Sequence, residues 1–434
     1  VTRAAGAFAS ASPEGLVVRV ERVAGDVDPL ALWSLAADRR FYWEQAAEGT
    51  AVAGIDAAVT CTASGPSRFG HLAAGLTDVL QEHPDAIAVG GFAFAPDGDS
   101  TAWRGFPAAA WVVPRLALVR RRGRARLIAV APAGEPPILL DDLMARGRAA
   151  LRAPVASTGG AATYRAAGAP VADWRRAVEA TLDDIAARRL EKLVLARTAS
   201  LRASVPFDPV HVAARLRRGF PECTVFAVAR GPATFLGASP ERLVRVAGRR
   251  LDTAAVAGTT ARGSSPRTDR LLARALLSDA KERAEHALVV EDIRVRLRAL
   301  CDAVSCPAAP GILATQAVQH LHTTIRARLR PGVGLLDAIA ALHPTPAVCG
   351  APRDPARRVL AAREGLDRGW YGGGVGWMVR DGGDVAVALR TALLRGPDAL
   401  LHAGAGIVEG STPERELEET RLKLRPLLTA LLEL

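Results

Sequence analysis

The order of apolar and polar positions divides the chain into stretches of two kinds. In VADWRRAVEATLDDIAARRL (171–190) the apolar residues Val171, Trp174, Val178, Leu182 and Ile185 recur at intervals of three and four. That spacing lines one stripe of a 3.6-residue repeat and predicts an amphipathic helix. The next segment, EKLVLARTASL, is a short apolar run and predicts a strand opened by Lys192. CTVFAVAR and ATFLGASPERLVRVAGRRLDTAAVAGT predict further strands, as do the runs near 312–320 and 384–395, with one long helix from about 268 to 300 between them. Residues 1 to about 150 mix strands and short helices with Gly and Pro turns. AIAVGGFAFAP (86–96) is the clearest strand there. RAPVASTGGAATYRAAGAP (152–170) is poor in charge and is the best linker candidate. No repeat of 20 to 50 residues is present. Strands that follow strands, with helices grouped between them, point to an α+β architecture.

Composition narrows the class. The chain has 434 residues, 49% hydrophobic and 23% charged, which is ordinary globular composition with room for a large core. The N-terminal VTRAAGAFASASPEGL holds no continuous apolar segment, so no signal peptide is expected, and no run approaches a membrane-spanning length. Five scattered cysteines without a CxxC pair point to a reducing, cytoplasmic setting and away from structural zinc. The net charge of +11 raises nucleic-acid binding as a class. Against it, the arginines are dispersed, clusters such as Arg120 to Arg124 read as turns on solvated faces, and three tyrosines supply little stacking surface. A small anionic substrate would profit from the same field.

Several residues stand where chemistry is possible. Lys192 opens an apolar strand; it either snorkels to the surface or is a desolvated amine able to act as a base. Glu241 follows a tight turn, Gly237-Ala238-Ser239-Pro240, as a surface carboxylate or as an acid presented by a constrained loop. Glu282 and Glu285 share a helix face, as do Glu416, Glu419 and Lys423 behind the Thr412–Pro413 start signal. Such pairs are often solvated; brought together from two helices, they would make an oxygen-rich site suited to Mg²⁺. HAGAGIVEG (402–410) and WYGGGVGWM (370–378) lack the spacing of a dinucleotide loop and the lysine of a P-loop. Their glycines would still let backbone approach an anion. HPTPAVCG (343–350) is short, stiff and dry, with Pro344 and Pro346 beside Ala347.

Taken in order, EKLVLART, FLGASPERLV, LDTAAVAGTTARG, KERAEHALVVEDI, VQHLHT, LHPTPAVCGAP, RGWYGGGVGWM, VALRTA and HAGAGIVEGSTPERELEETRLK resemble the signature of the chorismate-utilising enzymes. The likeness is dense from about 171 to 434 and thinner before, where FYWEQ, AVAGIDAA and GGFAF carry it. It implies one α+β domain over 1–434, two packed, mainly antiparallel sheets flanked by helices, with a divergent N-terminal half (1–165) and a motif-rich catalytic half (171–434). By resemblance, Lys192 is the general base that activates water for attack at C2 of chorismate, and Glu241 is the acid that protonates the departing C4 hydroxyl. Glu285 and Glu419 match magnesium ligands, with Glu282 and Glu416 behind them. Tyr371 and Arg390 match positions that bind the enolpyruvyl carboxylate, with Lys423 near the same group. Gly258, Thr259, His320, Gly404 and Gly406 match other pocket positions, and Ala347 and Val348 form a wall beside the ring.

Within the family, aminodeoxychorismate formers resemble P-I-K-G-T where this chain has Ala255-Val256-Ala257-Gly258-Thr259. The missing lysine at 257, with Lys192 present, favours water as nucleophile and no glutaminase partner. Salicylate and anthranilate formers carry a threonine where Ala347 stands, and HPTPAV resembles the isochorismate-forming branch. The resemblance therefore implies an isomerase that makes isochorismate for menaquinone or catecholate siderophores. Salicylate formation is the alternative, and a monomer is expected.

Overall fold

Alternation along single strands builds the layers. In the strand Thr224–Arg230, Phe226 and Val228 join one buried cluster, while Val225, Ala227 and Ala229 join another on the opposite face. A strand buried on both faces needs a packed layer on each side. The computed structural model describes residues 8–9, 15–97, 101–155, 162–168, 170–316 and 318–432. In it this strand belongs to a twelve-stranded sheet packed on an eleven-stranded one. Every pairing among the described strands is antiparallel. The core between the sheets holds Trp43, Phe226 and Phe235 from the larger and Val89, Trp111 and Trp377 from the smaller. Trp43 and Trp377 meet edge to face with centroids 6.1 Å apart.

Both halves of the chain feed both sheets. Arg39–Gln45 pairs with Thr224–Arg230 in the larger sheet, and Ala88–Phe92 pairs with Gly374–Val379 in the smaller. The helices Pro209–Gly219 and Pro413–Leu431 cover the larger sheet through Leu216, Leu424 and Leu427. The helix Ala280–Leu300 lies against Arg250–Ala261 and Val318–Leu329 of the smaller. No helix among the described residues is long and apolar enough to cross a membrane.

Five local expectations are corrected. The helix expected from 268 to 300 is two, Pro266–Ser278 and Ala280–Leu300. Asp279 breaks it with extended backbone (ψ 119°) and caps the second helix, its carboxylate accepting from the Glu282 amide. The strand near 312–320 is likewise two, Gly311–Ala314 and Val318–Leu329, and that near 384–395 is interrupted between Val387 and Thr391, where Arg390 takes φ +50°. In the linker candidate, Tyr164–Gly168 is an edge strand paired with Lys192–Ala203, while 156–161 and 169 lie outside the described residues, as does most of the N-terminal stretch. The Arg120–Arg124 cluster does turn at Arg122 and Gly123, but it is not merely solvated. Arg120 pairs with buried Glu44 at 2.5 Å, and Arg121 lies over the Trp377 ring at 4.3 Å. The cysteines are free.

Candidate active site

The same alternation decides which way Lys192 points. Leu193 and Leu195 pack into a cluster with Trp174 and Leu417, so Lys192 and Val194 face the other way, into a cavity between the sheets. Lys192 is 1% exposed, which excludes snorkelling, and its Nζ lies 2.8 Å from Glu285 Oε1. Glu241 enters the same cavity from the crossover between Ala233–Ser239 in the larger sheet and Arg242–Ala247 in the smaller. Fourteen of the sixteen residues singled out above line this one cavity: Lys192, Glu241, Gly258, Thr259, Glu285, His320, Ala347, Val348, Tyr371, Arg390, Gly404, Gly406, Glu419 and Lys423. Glu282 and Glu416 stand behind the lining, both buried.

Glu241 is set up as an acid. Burial pushes its carboxyl up to about 8, against the opposing pull of Lys192 and Lys423 and a smaller one from the Thr345 hydroxyl. It is therefore protonated near neutral pH and able to donate.

His320 and Arg390 form a fixed cationic corner. Arg390 Nη2 lies 2.8 Å from His320 Nε2. Burial, then the Arg390 and Lys423 charges, hold the imidazole well below its usual range, so it is neutral. A guanidinium only donates, so Nε2 accepts and Nδ1 carries the proton. Nδ1 faces Thr259 Oγ1 at 3.1 Å and the Gly258 carbonyl at 3.3 Å. The register shifts between Ala257 and Thr259, and Gly258 takes φ +79°; this bulge aims both groups at the ring.

The carboxylates crowd one end. Burial and then Glu285 raise Glu282; burial raises Glu419, with Glu416 and Glu285 adding to it against Lys423. Each has a lysine partner. Lys423 reaches Glu419 at 2.6 Å and the Gly404 carbonyl at 3.0 Å; burial disfavours its charge, but Glu419 outweighs this and the amine is held above its usual range. Among the described residues no three metal-type side chains converge into a cage. The two carboxylates that line the cavity, Glu285 and Glu419, are oxygen donors of the kind a hard divalent cation takes.

The glycine-rich strand does something other than expose its backbone. A Cβ at Gly406 would stand 2.5 Å from Glu285 Oε1 and 3.0 Å from Lys192 Cε; one at Gly404 would stand 2.8 Å from the Tyr371 hydroxyl. Glycine there admits the working side chains. HPTPAVCG is a buried turn between the helix Leu335–Leu342 and the two-residue strand Gly350–Ala351, which pairs with the start of the Lys192 strand.

Three residues that the sequence reading passed over also shape the site. Arg368, buried and paired with Glu364, donates at 2.7 Å to the carbonyls of both Val194 and Val348, tying the Lys192 strand to that turn. His402 stacks on Tyr371 with centroids 5.2 Å apart. Lys281 reaches Glu416 at 2.9 Å and Glu282 at 3.5 Å. Arg368 and Lys281 lie inside motifs already quoted, and a charged residue flanking a motif was the available signal.

A protonated buried acid, a buried amine, a cationic corner and a carboxylate pair around one cavity define an enzyme that works on a small anion by acid–base chemistry. The family model of chorismate binding enzymes matches residues 3–432, and the chain belongs to that family. It is 38% identical over 421 residues to the salicylate biosynthesis isochorismate synthase of Pseudomonas aeruginosa, covering 93% of this chain and 88% of that one. It is 39% identical over 260 residues to isochorismate synthase MenF of Bacillus subtilis, covering 60% and 55%. Among solved structures, the menaquinone-specific isochorismate synthase MenF from Escherichia coli superposes with a TM-score of 0.83 at 30% identity, over 96% of this chain and 95% of that one.

Proposed function

We propose that this protein is an isochorismate synthase that converts chorismate to isochorismate with Mg²⁺. The observation that carries this reading is the placement of buried Lys192 and protonated Glu241 on one cavity. Chorismate is a dicarboxylate. Arg390 and Tyr371 hold the enolpyruvyl carboxylate, with Lys423 close by, and the neutral His320 keeps the guanidinium in place. Glu285 and Glu419, with Glu282 and Glu416 behind them, would hold magnesium, which would supply positive charge for the ring carboxylate. Lys192 takes a proton from water as the water oxygen bonds to C2. The ring double bonds shift, the C4–O bond breaks, and Glu241 gives its proton to the leaving hydroxyl, which departs as water. Ala347 and Val348, held by Arg368, wall the ring.

The relatives named above support this reading, and their names span menaquinone and salicylate biosynthesis; a menaquinone or siderophore route is the proposed destination. The two halves of the chain act as one chorismate-binding unit, as a cytoplasmic monomer with no glutaminase or nucleic-acid partner. The free cysteines support the reducing compartment, and the absence of a lysine at 257 supports water as the nucleophile and hence no glutaminase. The test is incubation of purified protein with Mg²⁺ and chorismate, with products separated by chromatography. Isochorismate without pyruvate is expected. Unchanged chorismate overturns the reading, and early salicylate with pyruvate moves it to salicylate synthase.

A further inference from the structure

Glu285 and Glu419 reach the cavity from helices that belong to different layers. The helix Ala280–Leu300 lies against the smaller sheet, and the helix Pro413–Leu431 against Asp398–Ile407 of the larger. A cation held by both carboxylates bridges the layers, so its affinity depends on how the two helices are spaced. Two ion pairs cross that gap in opposite senses. Lys192, from the larger sheet, reaches Glu285 at 2.8 Å; Lys281, from the Glu285 helix, reaches Glu416 on the Glu419 helix at 2.9 Å.

The two pairs differ in what a cation would do to them. The first uses a carboxylate that the metal engages. The second uses Glu416, and neither Glu416 nor Lys281 lines the cavity. Lys281 precedes Glu285 by four positions and Glu416 precedes Glu419 by three, so on each helix the pair lies one turn from the metal carboxylate. The side chains are 17% and 2% exposed, a setting in which an ion pair is poorly screened and its geometry counts. Glu282, 3.5 Å from the same amine, also accepts from the Thr259 amide at 2.9 Å, so the strap is anchored to the pocket bulge.

Resting on the magnesium reading above, we propose that Lys281 is a positioning residue of the metal site, a strap to Glu416 that sets the spacing of Glu285 and Glu419 and thereby the affinity for a divalent cation. A purely electrostatic influence has the opposite sign, since removing a positive charge beside the site strengthens cation binding.

Mn²⁺ is the probe, titrated into purified protein in the presence of chorismate, with free Mn²⁺ counted by electron paramagnetic resonance. Lys281→Met is expected to raise the Mn²⁺ Kd roughly 10–100-fold, the range for partners that orient metal ligands. Lys281→Arg recovers most of the loss. Lys281→Gln, which also removes the positive charge, gives the same weakening and decides the matter should Lys281→Met not fold. An unchanged or lower Kd in a folded variant overturns the role of Lys281. Wild-type protein that takes up no Mn²⁺ overturns the metal reading itself, a separate result.

Discussion

Arg390 Nη2 stands 2.8 Å from His320 Nε2, and this contact sets the imidazole's tautomer and the guanidinium's aim, while burial first and then the Arg390 and Lys423 charges keep the ring neutral. Arg390 itself is held at φ +50°, an unusual backbone for a side chain of its size. Replacing it with Gln keeps a donor but loses the charge. Arg390→Gln should raise KM for chorismate on the order of ten- to a hundredfold, the worth of a charged hydrogen bond, with a smaller fall in kcat. Steady-state kinetics check this split.

Glu241 predicts a pH limb. Its carboxyl titrates at about 8 in the folded protein, above its ordinary value of 4.5, because it is buried. The acid is needed protonated, so kcat/KM should be lost as pH rises through about 8. Stability runs the same way: from the ordinary carboxylate range up to about 8 the folded state binds the extra proton, and stability falls as pH rises. Glu241→Gln should be inactive yet lose less stability than wild type between pH 6 and 9, read from melting curves.

Lys192→Ala should abolish water addition while the circular dichroism spectrum is kept. Retained turnover in that variant removes Lys192 from the mechanism.

Gly406→Ala should cost activity on the order of a hundredfold, because the new Cβ displaces Glu285 and Lys192 from their contact. The clash is with side-chain ends, so the melting temperature should shift little. At Gly404 a Cβ would also meet the Leu195 carbonyl at 2.9 Å, and Gly404→Ala should lower both activity and stability.

What the sequence made legible follows from what kind of information each feature carries. Lys192, Glu241 and the helical glutamates were found because residue type, motif and local period are written in one stretch of chain. The split at Asp279 was not, because apolar spacing runs through it and only the extended backbone turns its carboxylate into a cap. Sheet order was not legible from pattern either: Arg39–Gln45 and Thr224–Arg230 read as strands separately, and nothing local says that they pair. The partners Lys281, Arg368 and His402 became visible only when packing placed them. A charged side chain beside a motif looks solvated until its neighbour across the layers is known.

The account stands most directly on water being the nucleophile. Chorismate turned over in H₂¹⁸O and sampled early should yield isochorismate carrying one ¹⁸O at C2, with none formed by Lys192→Ala or Glu241→Gln. Isochorismate that forms without the label would contradict it.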